Sequence, residues 1–126
     1  TRMTINSNGL ISGDFNDTSD VSLKENIVAI DDGMSVISQM RPVSFDWRDV
    51  VTEDEEGNEV TVPSGKGSTK GLIAQEVEAI DEELVVGEEG KKAINTSGVL
   101  AYAIKAIQEQ QTIIEDLKSR LTAGGL

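Results

Sequence analysis

The chain has 126 residues, a formal charge of −12, no histidine and no cysteine. That length implies one domain with room for a core, though not a large one. The charge argues against nucleic-acid phosphates and anionic membrane surfaces as partners. The two missing residue types exclude a Ser-His-Asp triad, a Cys-His pair and a His- or Cys-ligated zinc site.

No apolar run approaches the roughly 18 residues of a membrane span, and no basic-apolar signal segment opens the sequence. Phe15, Phe45, Trp47 and Tyr102 are the only aromatic residues. Aromatics usually supply much of a small core, so a lone monomer would be thinly packed. Part of the core is expected between subunits.

The first stretch reads as short strands. Met3-Thr4-Ile5 alternates, Asn8-Gly9 is a turn signal, and Leu10-Ile11 begins a second strand that ends at Gly13. Residues 14 to 18 are polar and loop-like. Next comes Thr18-Ser19-Asp20-Val21-Ser22-Leu23-Lys24-Glu25-Asn26-Ile27, which holds a serine and a lysine five positions apart. Without histidine, a serine nucleophile needs lysine or a carboxylate as its base, and Ser-Lys pairs are a known solution.

Five residues of α-helix turn by roughly 500°, placing Ser19 and Lys24 about 140° apart. On a strand they fall on opposite faces. They meet only if the backbone changes direction between them. One arrangement puts Ser19 just before a helix start, capped by Asp20 or Ser22, with Lys24 reaching back from the second turn. The alternative is a capped short helix with Lys24 solvated.

Apolar residues at Ile27, Ile30, Met34, Ile37 and Met40 have helical spacing. Gly33 interrupts them, so a loop followed by a helix from about Asp31 fits equally. Arg41-Pro42 ends the helix, and Val43, Phe45 and Trp47 alternate with polar residues as a half-buried strand. Between residues 50 and 70, two Val/Thr segments flank Glu55-Glu56-Gly57-Asn58, the pattern of a protruding β-hairpin. Its acidic residues lack the spacing of an EF-hand, and Gly65-Lys66 lacks the remainder of a phosphate loop.

Leu72-Ile73-Ala74 reads as a buried strand. Gln75 to Ile80 follows as one or two helical turns with Val77 and Ile80 inward. Gln75 and Glu76 either orient a catalytic group or face solvent. Leu84-Val85-Val86 and Lys92-Ala93-Ile94 bracket another hairpin.

From Asn95-Thr96-Ser97, a cap, to about residue 122 the period is helical. Leu100, Ala103, Ile107, Gln110, Ile114, Leu117 and Leu121 step alternately by three and four, an unbroken a/d heptad. Ile104 and Ile113 widen the stripe, and Gln110 is a polar seam residue of the kind that fixes register. The period predicts a homo-oligomeric coiled coil without choosing between dimer and trimer.

Four stretches in order, Ser19-Asp20 with Leu23-Lys24-Glu25-Asn26-Ile27, Met40 to Trp47, Gly71 to Ile80 and the terminal helix, resemble one family. It is the self-cleaving intramolecular chaperone (Ser-Lys peptidase) of phage tailspikes, tail fibres and neck appendages. A related domain occurs in myelin-regulatory-factor-type transcription factors. The resemblance runs from Ser19 to about Leu121, and Gln110-Gln111 departs from the more apolar pair expected there.

The resemblance implies an α+β fold with short strands, a protruding hairpin arm at about 50–70 and a helix at about 96–122 forming a homotrimeric coiled coil. Residues 1–18 would be the C-terminal end of a client fibre or spike, and 19–126 the chaperone. The arm would grip the client stem. The domain would trimerise and fold the chain before it, then free itself by cutting between Thr18 and Ser19, with Ser19 as nucleophile and Lys24 as base. It aligns Ser19 rather than the rival Ser22. It implies no cofactor and no metal, the same polypeptide's N-terminal region as partner, and a virion location after assembly in host cytoplasm. A lysine in water has a pKa of about 10.4, and lowering that by about 3 units costs on the order of 4 kcal/mol, which burial supplies. The alternative is a non-cleaving trimerisation or capping module at a fibre tip. A receptor-binding adhesin tip is a third reading.

Overall fold

The computed structural model describes residues 3–5, 11–13 and 18–125. The Asn8-Gly9 turn, Leu10, Phe15 and the rest of the 14–17 stretch lie outside the described residues. Strands β1 (Met3–Ile5) and β2 (Ile11–Gly13) pair antiparallel, Met3 opposite Gly13 and Ile5 opposite Ile11. A 3-10 turn at Val21–Leu23 follows. Of the two readings for residues 27–40, the structure follows the second, a loop and then a helix, though the helix is shorter than expected: α1, Met34–Ile37. Asn26, just before this stretch, has left-handed backbone (φ 55°). Ile27 and Val28 are exposed instead of sharing a buried helical face.

After Pro42 the chain extends as β3 (Val43–Asp46), with Val43 and Phe45 half-buried and Ser44 and Asp46 exposed. Trp47 lies just past the strand. Its indole N–H donates to Thr69 Oγ1 at 3.2 Å, and the Phe45 ring meets it edge-on at 5.3 Å.

The arm is a hairpin inside a hairpin. Its stem pairs β3 with β6 (Ser68–Gly71), Val43 opposite Gly71 and Asp46 opposite Ser68. Its tip pairs β4 (Val50–Glu53) with β5 (Glu59–Val62), Val50 opposite Val62 and Glu53 opposite Glu59. Asp54 Oδ1 closes the tip by accepting from the N–H groups of Glu56 and Asn58, both at 2.9 Å. Gly57 supplies the positive φ of 83° that the turn needs. All residues of β4 and β5 are exposed.

The strand expected at Leu72–Ala74 therefore lies earlier, at Ser68–Gly71. In the register of the stem, Leu72 would face Pro42, which has no N–H to extend the ladder. Ile73 instead precedes α2 (Ala74–Ile80). Asp81 then caps a 3-10 turn at Glu82–Leu84, accepting from Glu83 N–H at 3.0 Å. Strands β7 (Val85–Val86) and β8 (Ala93–Ile94) form the second expected hairpin, Val85 opposite Ile94.

Helix α3 spans Thr96–Ala123. Asn95 Oδ1 accepts from Gly98 N–H at 3.1 Å at its start, and the chain leaves it at Gly124. The fold is thus α+β, with short antiparallel strands and one long C-terminal helix. No helix among the described residues is long and apolar enough to cross a membrane.

Val77, Leu84 and Val85 form the core, with Met40, Leu72, Ala74, Ile94, Val99 and Tyr102 packed around them. Ala106 is buried separately, where α3 crosses α1. Val99, Tyr102, Ala106 and Glu109 line the side of α3 turned to its own chain. The heptad residues point elsewhere. Leu100, Ile107, Ile114, Leu117 and Leu121 are all exposed, Ile107 at 64%. From Gln110 to Gly125 every residue of the chain is exposed.

Candidate active site

Asp20 lies in extended backbone immediately before the 3-10 turn and caps it. Its Oδ1 accepts from Ser22 N–H at 2.8 Å and from the Ser22 hydroxyl at 2.7 Å. Two backbone bonds close the turn, Leu23 N–H to Asp20 O and Lys24 N–H to Val21 O, both at 3.1 Å. The backbone thereby changes direction between residues 19 and 24. The Lys24 ammonium consequently rests on Ser19 and donates a hydrogen bond to Ser19 Oγ.

The geometry differs from the expected one in a single respect. Lys24 ends a lone 3-10 turn, in extended backbone, rather than standing on the second turn of an α-helix. With three residues per turn, one 3-10 turn is enough to bring it back. Ser22, the rival nucleophile, is turned to Asp20. Asp20 is held below the usual carboxylate range, first by the Ser22 hydroxyl and then by the Ser22 N–H.

Thr18, Ser19 and Lys24 are all exposed in the single chain. Val21, Leu23, Ile27 and Val28 surround the pair in sequence and are exposed as well, Val28 at 82%. Among the described residues, four bulky apolar side chains within eight residues stay largely exposed, an apolar patch of the kind that marks a contact surface.

Glu76 is not simply solvated. Its carboxylate takes the Arg41 guanidinium in a fork, Nε to Oε1 at 3.0 Å and Nη2 to Oε2 at 2.6 Å. This bond ties the Arg41-Pro42 segment to α2, and it holds the Glu76 carboxyl below its ordinary range. Gln75 donates to Glu89 Oε1 at 3.2 Å. Gln75 thus sits on the solvent side of α2, and Glu76 is engaged with Arg41. Among the described residues, no group of three or more acidic side chains stands where it could hold a metal ion.

Sequence reasoning missed the clamp that anchors the segment following the serine. Glu109 of α3 accepts from Gly33 N–H at 2.5 Å and Met34 N–H at 3.0 Å. Gly33 itself lies against the backbone of α3. The visible signal was a glycine inside an otherwise helical pattern, a costly residue there unless packing requires it.

No curated protein matches the chain. The peptidase S74 family model, described as chaperone of endosialidase, matches residues 19–86 and so begins at the serine that carries the lysine contact. That match covers more than half of the sequence. The chain belongs to the chaperone-of-endosialidase family.

Proposed function

We propose that the chain is a C-terminal intramolecular chaperone with a single-turnover serine autopeptidase built into it. It trimerises through α3, helps fold the viral fibre or spike chain before it, and then cuts itself free at Thr18–Ser19. On this reading residues 1–18 end the client, residues 19–126 are the chaperone, and the arm holds the client stem. Assembly takes place in host cytoplasm and the client ends in the virion. The observation that carries the reading is the Lys24–Ser19 hydrogen bond in a chain without histidine or cysteine. The exposed heptad on α3 supports the oligomer.

On this reading the chemistry runs as an acyl shift within the chain. Ser19 Oγ attacks the carbonyl carbon of Thr18. Its proton passes to the neutral Lys24 amine and from there to the departing Ser19 nitrogen. The amide becomes an ester, and water cleaves the ester to leave a Thr18 carboxylate and a free Ser19 amine.

A lysine amine in water is protonated at neutral pH, and in that form it donates to Oγ. The neutral amine accepts the hydroxyl proton along the same line. Burial against apolar groups favours the neutral form. Val21, Leu23, Ile27 and Val28 are the apolar groups at hand, and neighbouring subunits are their cover. Cleavage is thereby coupled to completed assembly.

Mass spectrometry of the expressed chain tests the reading through a new N-terminus at Ser19. Ser19→Ala and Lys24→Arg should each abolish it while keeping the oligomer, since a guanidinium keeps its charge and cannot act as a base. Ser22→Ala should still cleave. A Lys24→Arg chain processed at the wild-type rate would sink the pair.

A further inference from the structure

Two serines lie within reach of one lysine in sequence, yet the Lys24 amine rests on Ser19 while Ser22 is bound to Asp20 by both its hydroxyl and its N–H. One carboxylate oxygen makes both of those bonds. It also caps a turn whose own support is only two backbone hydrogen bonds. A single turn is the least stable length of helix, because its nucleus fixes several dihedral angles for very few bonds. The cap is therefore a large share of what holds it. Without the turn, five extended residues would separate Ser19 and Lys24 by up to roughly 18 Å.

We propose that Asp20 is a positioning residue for self-cleavage. Its carboxylate holds the turn that lays Lys24 on Ser19, and it keeps the Ser22 hydroxyl engaged elsewhere. Selection of Ser19 over Ser22 is then a property of the turn and not of the serines themselves. The role rests on the self-cleavage reading above. The Ser22 hydroxyl and N–H hold the Asp20 carboxyl below the usual carboxylate range.

Asparagine retains the acceptor oxygen and caps as well as aspartate, whereas alanine has none. The full chain is unfolded, diluted into neutral buffer and followed by mass spectrometry for the Ser19 N-terminus, with light scattering for the oligomer. Asp20→Ala should slow cleavage about tenfold at unchanged oligomeric state, from the usual strength of such a cap. Asp20→Asn should stay within about threefold of wild type. Where Asp20→Ala fails to assemble, Asp20→Asn decides alone, and a loss of about tenfold in it overturns the positioning role.

Asp20→Asn as slow as Asp20→Ala would mean that the charge acts in the reaction, and would overturn the positioning role. So would Asp20→Ala at the wild-type rate, which leaves the Ser-Lys reading standing. A wild-type chain that never cleaves removes that reading and this role together.

Discussion

Gly33 and Glu109 meet where α1 crosses α3, 76 positions apart in sequence, with the Glu109 carboxylate accepting from the Gly33 N–H. A Cβ at Gly33 would stand 2.4 Å from Ala106 N and 2.6 Å from Tyr102 O, backbone atoms that cannot move aside. The glycine is thus required for close approach, and Glu109 secures the approach once made. Gly33 follows the reactive segment by nine residues, so α3 sets where that segment leaves the body of the domain. Gly33→Ala should push α1 away from α3 and destabilise the fold by about 1–3 kcal/mol. Thermal unfolding of the assembled protein checks this. An unchanged midpoint would mean the crossing is looser than described.

The seam of α3 gives the second prediction. Ile107 and Ile114 are exposed in the single chain, although fully burying each is worth about 1.5–3 kcal/mol. Replacing both with Asp should yield monomers that are largely unfolded, read by light scattering and circular dichroism. A helical oligomer of unchanged mass would show that the seam lies on another face.

The third prediction concerns alkaline pH. The Tyr102 hydroxyl donates to Asp81 Oδ2 at 2.7 Å. The accepting carboxylate, then desolvation, pushes the phenol above its ordinary range. A group whose folded pKa is raised contributes stability that is complete below the unfolded pKa, about 10 for tyrosine, and lost as pH rises through the folded value. Tyr102→Phe should cost about 1 kcal/mol at neutral pH and flatten the fall in melting temperature above about pH 10. Wild type and variant falling in parallel would remove the hydrogen bond from the stability argument.

Elements with a strong period were legible in advance. The 3.5-residue spacing along α3 and its Asn95 cap located the helix nearly to the residue, because propensity, capping and pattern agree there. The tip of the arm was legible for a similar reason, a Gly-Asn turn between Val/Thr segments. Over Ile27 to Met40 the helical spacing left two readings open, and the loop-then-helix one holds; what the pattern could not show is Gly33 lying under α3, a contact set far away in sequence. The strand at Ser68–Gly71 was hidden because its side chains are mostly polar, and only its pairing with β3 makes it a strand. At the candidate site, the need for a reversal between Ser19 and Lys24 could be deduced. That one short 3-10 turn suffices depended on Asp20 and Ser22 bonding to each other, which spacing does not reveal.

The stem of the arm carries a consequence for how such a domain can be altered. Asp46 and Ser68 face each other at its outer end and are joined by the Ser68 hydroxyl donating to Asp46 Oδ1 at 2.5 Å. Everything beyond that pair leaves and returns through one fixed socket. Lengthening a loop whose ends are already held costs only about 0.6 kcal/mol per doubling. The tip is therefore an interchangeable cartridge: its length, charge and surface can change while Phe45, Thr69 and the core behind them stay as they are.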